Sequence, residues 1–241
     1  MRFFFFYIFA LYNFFALPII LNIETSTKNC SVSIAENGKI IALKELVDMK
    51  YSHAEKLHPF ISEVMKEGKV SLPQIDAVAV SKGPGSYTGL RIGVSAAKGL
   101  AFAFDIPLIS VNTLQSLAMS IQFESGVVIP MLDARRMEVY SAVFNTDFEQ
   151  IRTIEAEIID ENSFQKYLDE GMVYLLGDGA QKCKEIITHP NAIFIDDKFP
   201  SAKEMATLSY EKYIGNNLED VAYFEPFYLK DFIANKEKSK L

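Results

Sequence analysis

Two stretches hold residues that could do chemistry. Glu24-Thr25-Ser26 places a carboxylate beside two hydroxyls, and Gly83-Pro84-Gly85-Ser86-Tyr87-Thr88 is a glycine-rich turn with two more. A carboxylate among hydroxyls can cradle a metal-bound phosphate. A glycine turn opening a helix presents free backbone N–H groups and the positive end of the helix dipole, both of which favour an anion. Hydroxyl-rich turns and tight strand-to-helix connections have the same composition. The residues therefore leave two readings open: a phosphate site built from Glu24, Thr25, Ser26, Gly83, Gly85, Ser86 and Thr88, or plain connections. Two histidines, His53 and His58, are five apart and share no helical face well, so no metal site is expected from them. We find no nucleophile–base pair, no Ser/His/Asp order and no His-Glu-x-x-His, and assign no catalytic residue.

The elements around these stretches follow from periodicity. Ile75–Val80 alternates valine with small alanine, as a buried parallel strand would. After the glycine turn, Ser86 or Thr88 can cap a helix that runs to Phe104. Gly89, Gly93, Ala97 and Ala101 recur every four residues along it, leaving one stripe almost without side chains. Glycine in a helix costs roughly 0.5–1 kcal/mol relative to alanine, so the bare stripe is expected to be a contact surface, for this chain's own structure or for a partner. Upstream, Ile19–Ile23, Cys30–Ala35 and Ile40–Val47 read as a three-stranded antiparallel meander, with Asn37-Gly38 as a hairpin turn. Ser52 and Glu55 are spaced as a capping box, opening a helix that Pro59 should kink.

Downstream, Pro107–Val111 is a strand, Asn112–Ile121 a helix, and Gly126–Leu132 with Glu138–Phe144 a hairpin around Asp133-Ala134-Arg135-Arg136. Ile151–Ile159 continues the sheet, and Asp160–Leu168 is expected to be helical. Val173–Leu176 is a strand, Gly177-Asp178-Gly179-Ala180 turns into a helix to Ile187, and Ala192–Ile195 is the last strand. Ser201 and Glu204 mark a second capping box, with a helix to about Ile214. Meander, helix, strand, helix, strand is the order of a ribonuclease-H-like half, and the second part repeats it. We expect an α/β protein of two ribonuclease-H-like lobes, residues 19–112 and 113–231, with mixed sheets flanked by helices. Residues 1–18 read as an apolar extension before the domain, from an over-early start codon or a non-essential addition, and residues 232–241 as a fraying tail.

Bulk composition narrows the classes. The chain has 241 residues, 49% hydrophobic and 23% charged, enough to bury a sizeable core. A net charge of −7 argues against a large basic footprint for nucleic acid. Cys30 and Cys183 have no metal-site or disulfide-framework spacing, which fits a reducing cytosol. The charged start and apolar core of Met1–Leu17 resemble a signal peptide. The run ends at Pro18, short of the roughly 20 residues a span needs, so a cytoplasmic protein without a membrane anchor is expected.

Four motifs taken together resemble the TsaB (YeaZ) family: Ile20-Leu21-Asn22-Ile23-Glu24-Thr25-Ser26, the Gly83–Gly93 run, Asp133-Ala134-Arg135-Arg136-Met137-Glu138-Val139-Tyr140 and Pro226-Phe227-Tyr228-Leu229. The resemblance implies the actin-like ATPase superfamily fold. It also implies work with TsaD and the ATPase TsaE in making threonylcarbamoyladenosine beside the tRNA anticodon. In the paralogue TsaD an Asn-His-x-x-Gly-His motif binds a metal. Here Asn112-Thr113-Leu114-Gln115-Ser116-Leu117 stands in its place, and neither Thr113 nor Leu117 replaces an imidazole.

The resemblance thus points to a non-catalytic partner with no cofactor or metal of its own. It would form a heterodimer with TsaD, a homodimer when alone, and meet tRNA only through the complex. The expected interface is the face around Leu57, Ile61, Gly89, Gly93, Ala97 and Ala101, where Gly93→Leu should abolish docking and spare the fold. The rival reading is a nucleotide-binding enzyme of the same superfamily (carbamoyltransferase, kinase or glycoprotease-like), with ADP or ATP on the Gly83–Thr88 turn and Gly177–Ala180 facing the adenosine. Asp133, Arg135, Arg136 and Glu138 are either a solvated hairpin turn or a partner contact.

Overall fold

A computed structural model describes residues 17–48 and 52–230. The readings made for Met1–Ala16 and for the tail lie outside the described residues. Two five-stranded sheets organise the chain. In the first, β1 (Ile19–Glu24), β2 (Asn29–Glu36) and β3 (Lys39–Val47) form the meander, and β4 (Ala77–Gly83) and β5 (Leu108–Asn112) add in parallel, giving the order β3-β2-β1-β4-β5. The turn between β2 and β3 is Asn37-Gly38, both at positive φ (52° and 74°), which matches the twist of a two-residue hairpin. In the second sheet β6 (Val127–Asp133), β7 (Glu138–Phe144) and β8 (Gln150–Ile158) are antiparallel, and β9 (Val173–Leu176) and β10 (Ala192–Ile195) are parallel additions. The order β10-β9-β6-β7-β8 repeats that of the first sheet. Each lobe is ribonuclease-H-like, and together they make the expected two-lobed α/β fold of mixed sheets flanked by helices.

Strand alternation decides what covers each face of the first sheet. Leu21, Ile23, Val78 and Val80 point to one side, where α1 (His53–Gly68) contributes Leu57, Ile61 and Val64, and α2 (Tyr87–Phe104) contributes Val94, Ala97 and Ala101. Their neighbours Ile20, Ala77, Ala79, Ile109 and Val111 point the other way, against Ala202, Met205 and Leu208 of α5 (Ala202–Ile214). Alternation with period two thus feeds two separate cores from one set of strands.

That packing corrects the predicted lobe boundary. Residues 201–227 follow the second lobe in sequence but pack on the first, because α5 supplies the apolar side that its sheet lacks. The first lobe is residues 19–112 plus 201–227. Conversely α3 (Thr113–Ala118), which follows β5, buries Leu114, Leu117 and Ala118 against Val128, Leu132 and Phe144 of the second lobe.

Some local expectations also change. Ser52 stands at the N-cap of α1, but its side chain makes no capping bond; its carbonyl accepts from Glu55 and Lys56 instead. Ser201 caps α5 through Lys203 N (3.1 Å). The helix expected over Asp160–Leu168 is only α4 (Gln165–Glu170), since Asp160 and Ser163 bond each other across a preceding turn and Phe164 sits at φ 64°. The helix expected to reach Ile187 is a single 3₁₀ turn, Gln181–Cys183. Helix α1 runs through Pro59 without a break.

Candidate functional site

The glycines around α2 exist because two pieces of backbone almost touch. A Cβ on Gly85 would lie 2.5 Å from Ser26 O, one on Gly89 2.1 Å from Thr25 O, and one on Gly93 2.2 Å from Thr25 Oγ1. The first turn of α2 is thereby pressed onto the β1–β2 loop. Thr25 Oγ1 donates to Gly89 O (2.8 Å) and Ser86 N to Ser26 O (2.6 Å). Ser86 caps the helix, accepting from Gly89 N at 3.3 Å, as its position before the helix predicts.

This clamp overturns part of the predicted interface. Leu57, Ile61, Gly89, Gly93, Ala97 and Ala101 are all buried and face the protein's own sheet. The four-residue stripe is internal packing, and Gly93→Leu would be driven into Thr25. The outward face of the same helices has a different set: Arg91, Ile92, Ser95, Ala96, Gly99 and Leu100 of α2 line an open groove with Ala54 and His58 of α1. A Cβ on Gly99 would meet nothing within 4 Å, so no intramolecular contact calls for that glycine. Phe102, three residues on, is 83% exposed. Ile92, Ser95, Ala96 and Gly99 are spaced i, i+3, i+4, i+7. The signal was present in the sequence as the one helical glycine out of phase with the other two.

The predicted phosphate residues also divide. Between the lobes lies a cleft of about 850 Å³, and Ser26, Gly85, Ser86 and Thr88 line it. Glu24, Thr25 and Gly83 do not. Glu24 is completely buried, its Oε1 accepting from Ser26 N (2.5 Å) and Ser81 Oγ (3.0 Å). Burial holds its carboxyl above the usual carboxylate range, against the pull of the Ser26 and Ser81 donors. Thr25 is occupied by Gly89, and Gly83 N donates to Thr113 Oγ1 (3.2 Å). Ser26 Oγ has no hydrogen-bond partner among the described residues.

The opposite wall comes from the second lobe. Asp133, Ala134, Arg135, Arg136, Glu138, Tyr140 and Asp178 face the cleft. Arg135 and Arg136 both have positive φ (73° and 53°), and Lys182 holds this turn by donating to Arg136 O and Glu138 O (both 2.7 Å) and to the Asp133 carboxylate. Asp178 accepts from Asp133 N (3.0 Å), and burial raises its pKa. The glycines flanking it pack against β6: a Cβ on Gly177 would lie 2.3 Å from Met131 O. Of Gly177–Ala180, only Asp178 reaches the cleft.

His53 is buried with Nε2 2.7 Å from Thr27 O, and burial lowers its pKa. Where the catalytic paralogue would carry histidines, Thr113 accepts the Gly83 amide and Leu117 lies in the core under the second sheet. Both positions serve the fold.

Two ribonuclease-H-like lobes around a cleft define a two-lobed α/β protein, and sequence comparison narrows this. The family model described as "TsaD: tRNA N6-adenosine threonylcarbamoyltransferase" matches residues 48–238. The tRNA threonylcarbamoyladenosine biosynthesis protein TsaB of Escherichia coli is 30% identical over 229 residues, covering 90% of this chain and 97% of the relative. TsaB of Haemophilus influenzae is 28% identical, covering 90% and 96%. The structure of YeaZ from Pseudomonas aeruginosa superposes with a TM-score of 0.77 at 26% identity, over 88% of this chain and all of that one. By contrast, a tRNA N6-adenosine threonylcarbamoyltransferase from Staphylococcus aureus matches only 47% of this chain and 38% of its own length. The chain belongs to the TsaB (YeaZ) branch of the TsaD-like family.

Proposed function

We propose that the chain is the non-catalytic subunit that dimerises with TsaD and supports transfer of threonylcarbamoyl to the adenosine next to the tRNA anticodon. The observation that carries the reading is the outer α1/α2 face. A small-residue stripe ending at Gly99, with Phe102 standing almost free beside it, suits close packing of a second pair of helices. A further observation supports it: the positions where the paralogue carries metal-binding histidines are held by Thr113 and Leu117, which serve the fold. In this reading TsaE and tRNA join through the complex, the chain works in the cytoplasm, and the same face self-associates when TsaD is absent. Among the described residues no helix is long and apolar enough to cross a membrane.

Phe102→Asp tests the face. Its ring is exposed, so the thermal melt of the lone chain should stay within about 2 °C of the parent, since surface changes away from special features are worth about 0.5 kcal/mol or less. Capture of TsaD by the tagged chain should fall at least tenfold. Retention of TsaD at parental affinity would exclude this face.

A second reading concerns ligands. Ser26, Gly85, Ser86 and Thr88 lining the cleft at the N-terminus of α2 favour weak ADP or ATP binding there, alone or with TsaD bound. Calorimetry with ADP, with and without TsaD, tests it; no heat in either condition removes it.

A further inference from the structure

After α5 the chain runs along the free edge of β5, where Glu219 N donates to Leu108 O (2.8 Å) and Ser110 Oγ donates to the Glu219 carboxylate (2.5 Å). Lys98 of α2 then donates to the carbonyls of Ala222 and Phe224 (3.1 and 2.9 Å). Phe227 N donates to Lys82 O at 2.7 Å, at the point where a Cβ on Gly83 would come within 2.8 Å of Phe227 O. Thus far the segment belongs to the first lobe. Tyr228 next lies against Tyr87, with ring centroids 4.8 Å apart. The Arg91 guanidinium sits 4.0 Å from the Tyr87 ring centre and donates from Nε to the Tyr228 hydroxyl (3.2 Å). Two residues later Lys230 pairs with the carboxylate of Glu138 in the second lobe, 5.8 Å from the Tyr140 ring centre. Four consecutive residues therefore reach from the first turn of α2 to β7, and all four line the cleft.

We propose that Phe227–Lys230 is a strap that ties the two lobes together across the cleft, with Tyr228 and Lys230 as its two fasteners. Other links between the lobes are the main-chain crossings at Asn112–Thr113 and Pro200–Ser201, the Gly83 amide on Thr113 Oγ1 (3.2 Å) and Met119 against the first lobe's core, and these are built into secondary structure and sheet packing. The strap is different in kind. Tyr228 and Lys230 are exposed side chains, and a ring stack, a cation over a ring or a surface ion pair each shifts an equilibrium by up to about tenfold. Such fasteners release without unfolding either lobe. Because they close the same crossing they act together, and losing both shifts the closed-to-open balance by about ten- to a hundredfold.

The test is a distance measured across the cleft in the full chain. Thr88→Cys and Arg136→Cys place one label on each wall, at exposed positions that line the cleft. Native Cys30 and Cys183 are buried, with thiols pushed up to about 11, and escape labelling. Electron–electron resonance should give one narrow distance for the strapped protein. Adding Tyr228→Ala with Lys230→Ala should bring up a second, longer population by at least tenfold, with the melting curve still cooperative; Tyr228→Phe, which keeps the ring, should fall between. An unchanged distance distribution in the double variant would overturn the proposal. So would loss of the cooperative melt, because the segment would then be holding the first lobe together.

Discussion

Gly89 and Gly99 lie on the same helix and the structure assigns them opposite roles, which a pair of alanine substitutions resolves. At Gly99 a Cβ meets nothing within 4 Å, so the substitution acts through the helix alone. Replacing an interior helical glycine by alanine is worth about 0.5–1 kcal/mol, and about 2–4 °C accompanies each kcal/mol in a protein of this size. Gly99→Ala should therefore raise the melting temperature by about 1–4 °C. At Gly89 the new methyl would lie 2.1 Å from Thr25 O, so the helix must lift off the β1–β2 loop. Overpacking of this kind costs about 1–3 kcal/mol, and the Thr25–Gly89 hydrogen bond is worth about 1 kcal/mol. Set against the helical gain, Gly89→Ala should lose about 1–3 kcal/mol and melt lower by roughly 2–12 °C. Calorimetric melts of the two variants beside the parent are the assay. Shifts of the same sign, or destabilisation at Gly99, would refute the assignment of inner and outer faces.

Two further predictions concern buried groups. Since burial raises the pKa of Glu24, the folded protein holds that proton more tightly than the unfolded chain. The resulting stabilisation is fully present below the ordinary carboxylate range and is lost as pH rises through the folded value. In urea unfolding, Glu24→Gln should be at least as stable as the parent at pH 8 and lose that relative advantage by pH 4; a variant that is relatively weakest at pH 8 contradicts the buried-acid reading. Cys30 and Cys183, with thiols pushed up to about 11, should resist a disulfide reagent at pH 8 in the native state and both react in denaturant. Fast labelling of either native thiol would show it to be accessible.

The fold was largely legible in the sequence because its strands are short apolar runs bounded by turn residues, and both lobes repeat one order. The error at the lobe boundary has a physical source. Nothing local to Ala202–Ile214 says which sheet its apolar face will meet, since that depends on the face β1, β4 and β5 leave open. Likewise the helix expected over Asp160–Leu168 had suitable periodicity, yet Asp160 and Ser163 satisfy each other in a turn first.

The site was legible by half. The Gly83–Thr88 turn does open a helix onto a cleft, and Ser26, Gly85, Ser86 and Thr88 do line it. Glu24 and Thr25 carry suitable functional groups, but burial turns them to the chain's own Ser26 amide, Ser81 hydroxyl and Gly89 carbonyl. The glycine stripe was recognised as a contact surface, and periodicity alone left its partner open. Only the close approach of Thr25 to Gly89 and Gly93 makes that contact internal. The strap was visible only as a motif, because a pairing of Tyr87 with Tyr228 or of Glu138 with Lys230 leaves no short-range trace.

Whether this chain activates TsaD without doing the chemistry is decided by reconstitution. The chain, TsaD, TsaE, tRNA, ATP and threonylcarbamoyl-adenylate are combined, each is omitted in turn, and modified adenosine is counted. Modification should appear only when this chain and TsaD are both present, and be lost when Phe102→Asp replaces the parent. Modification by this chain in the absence of TsaD would contradict this reading.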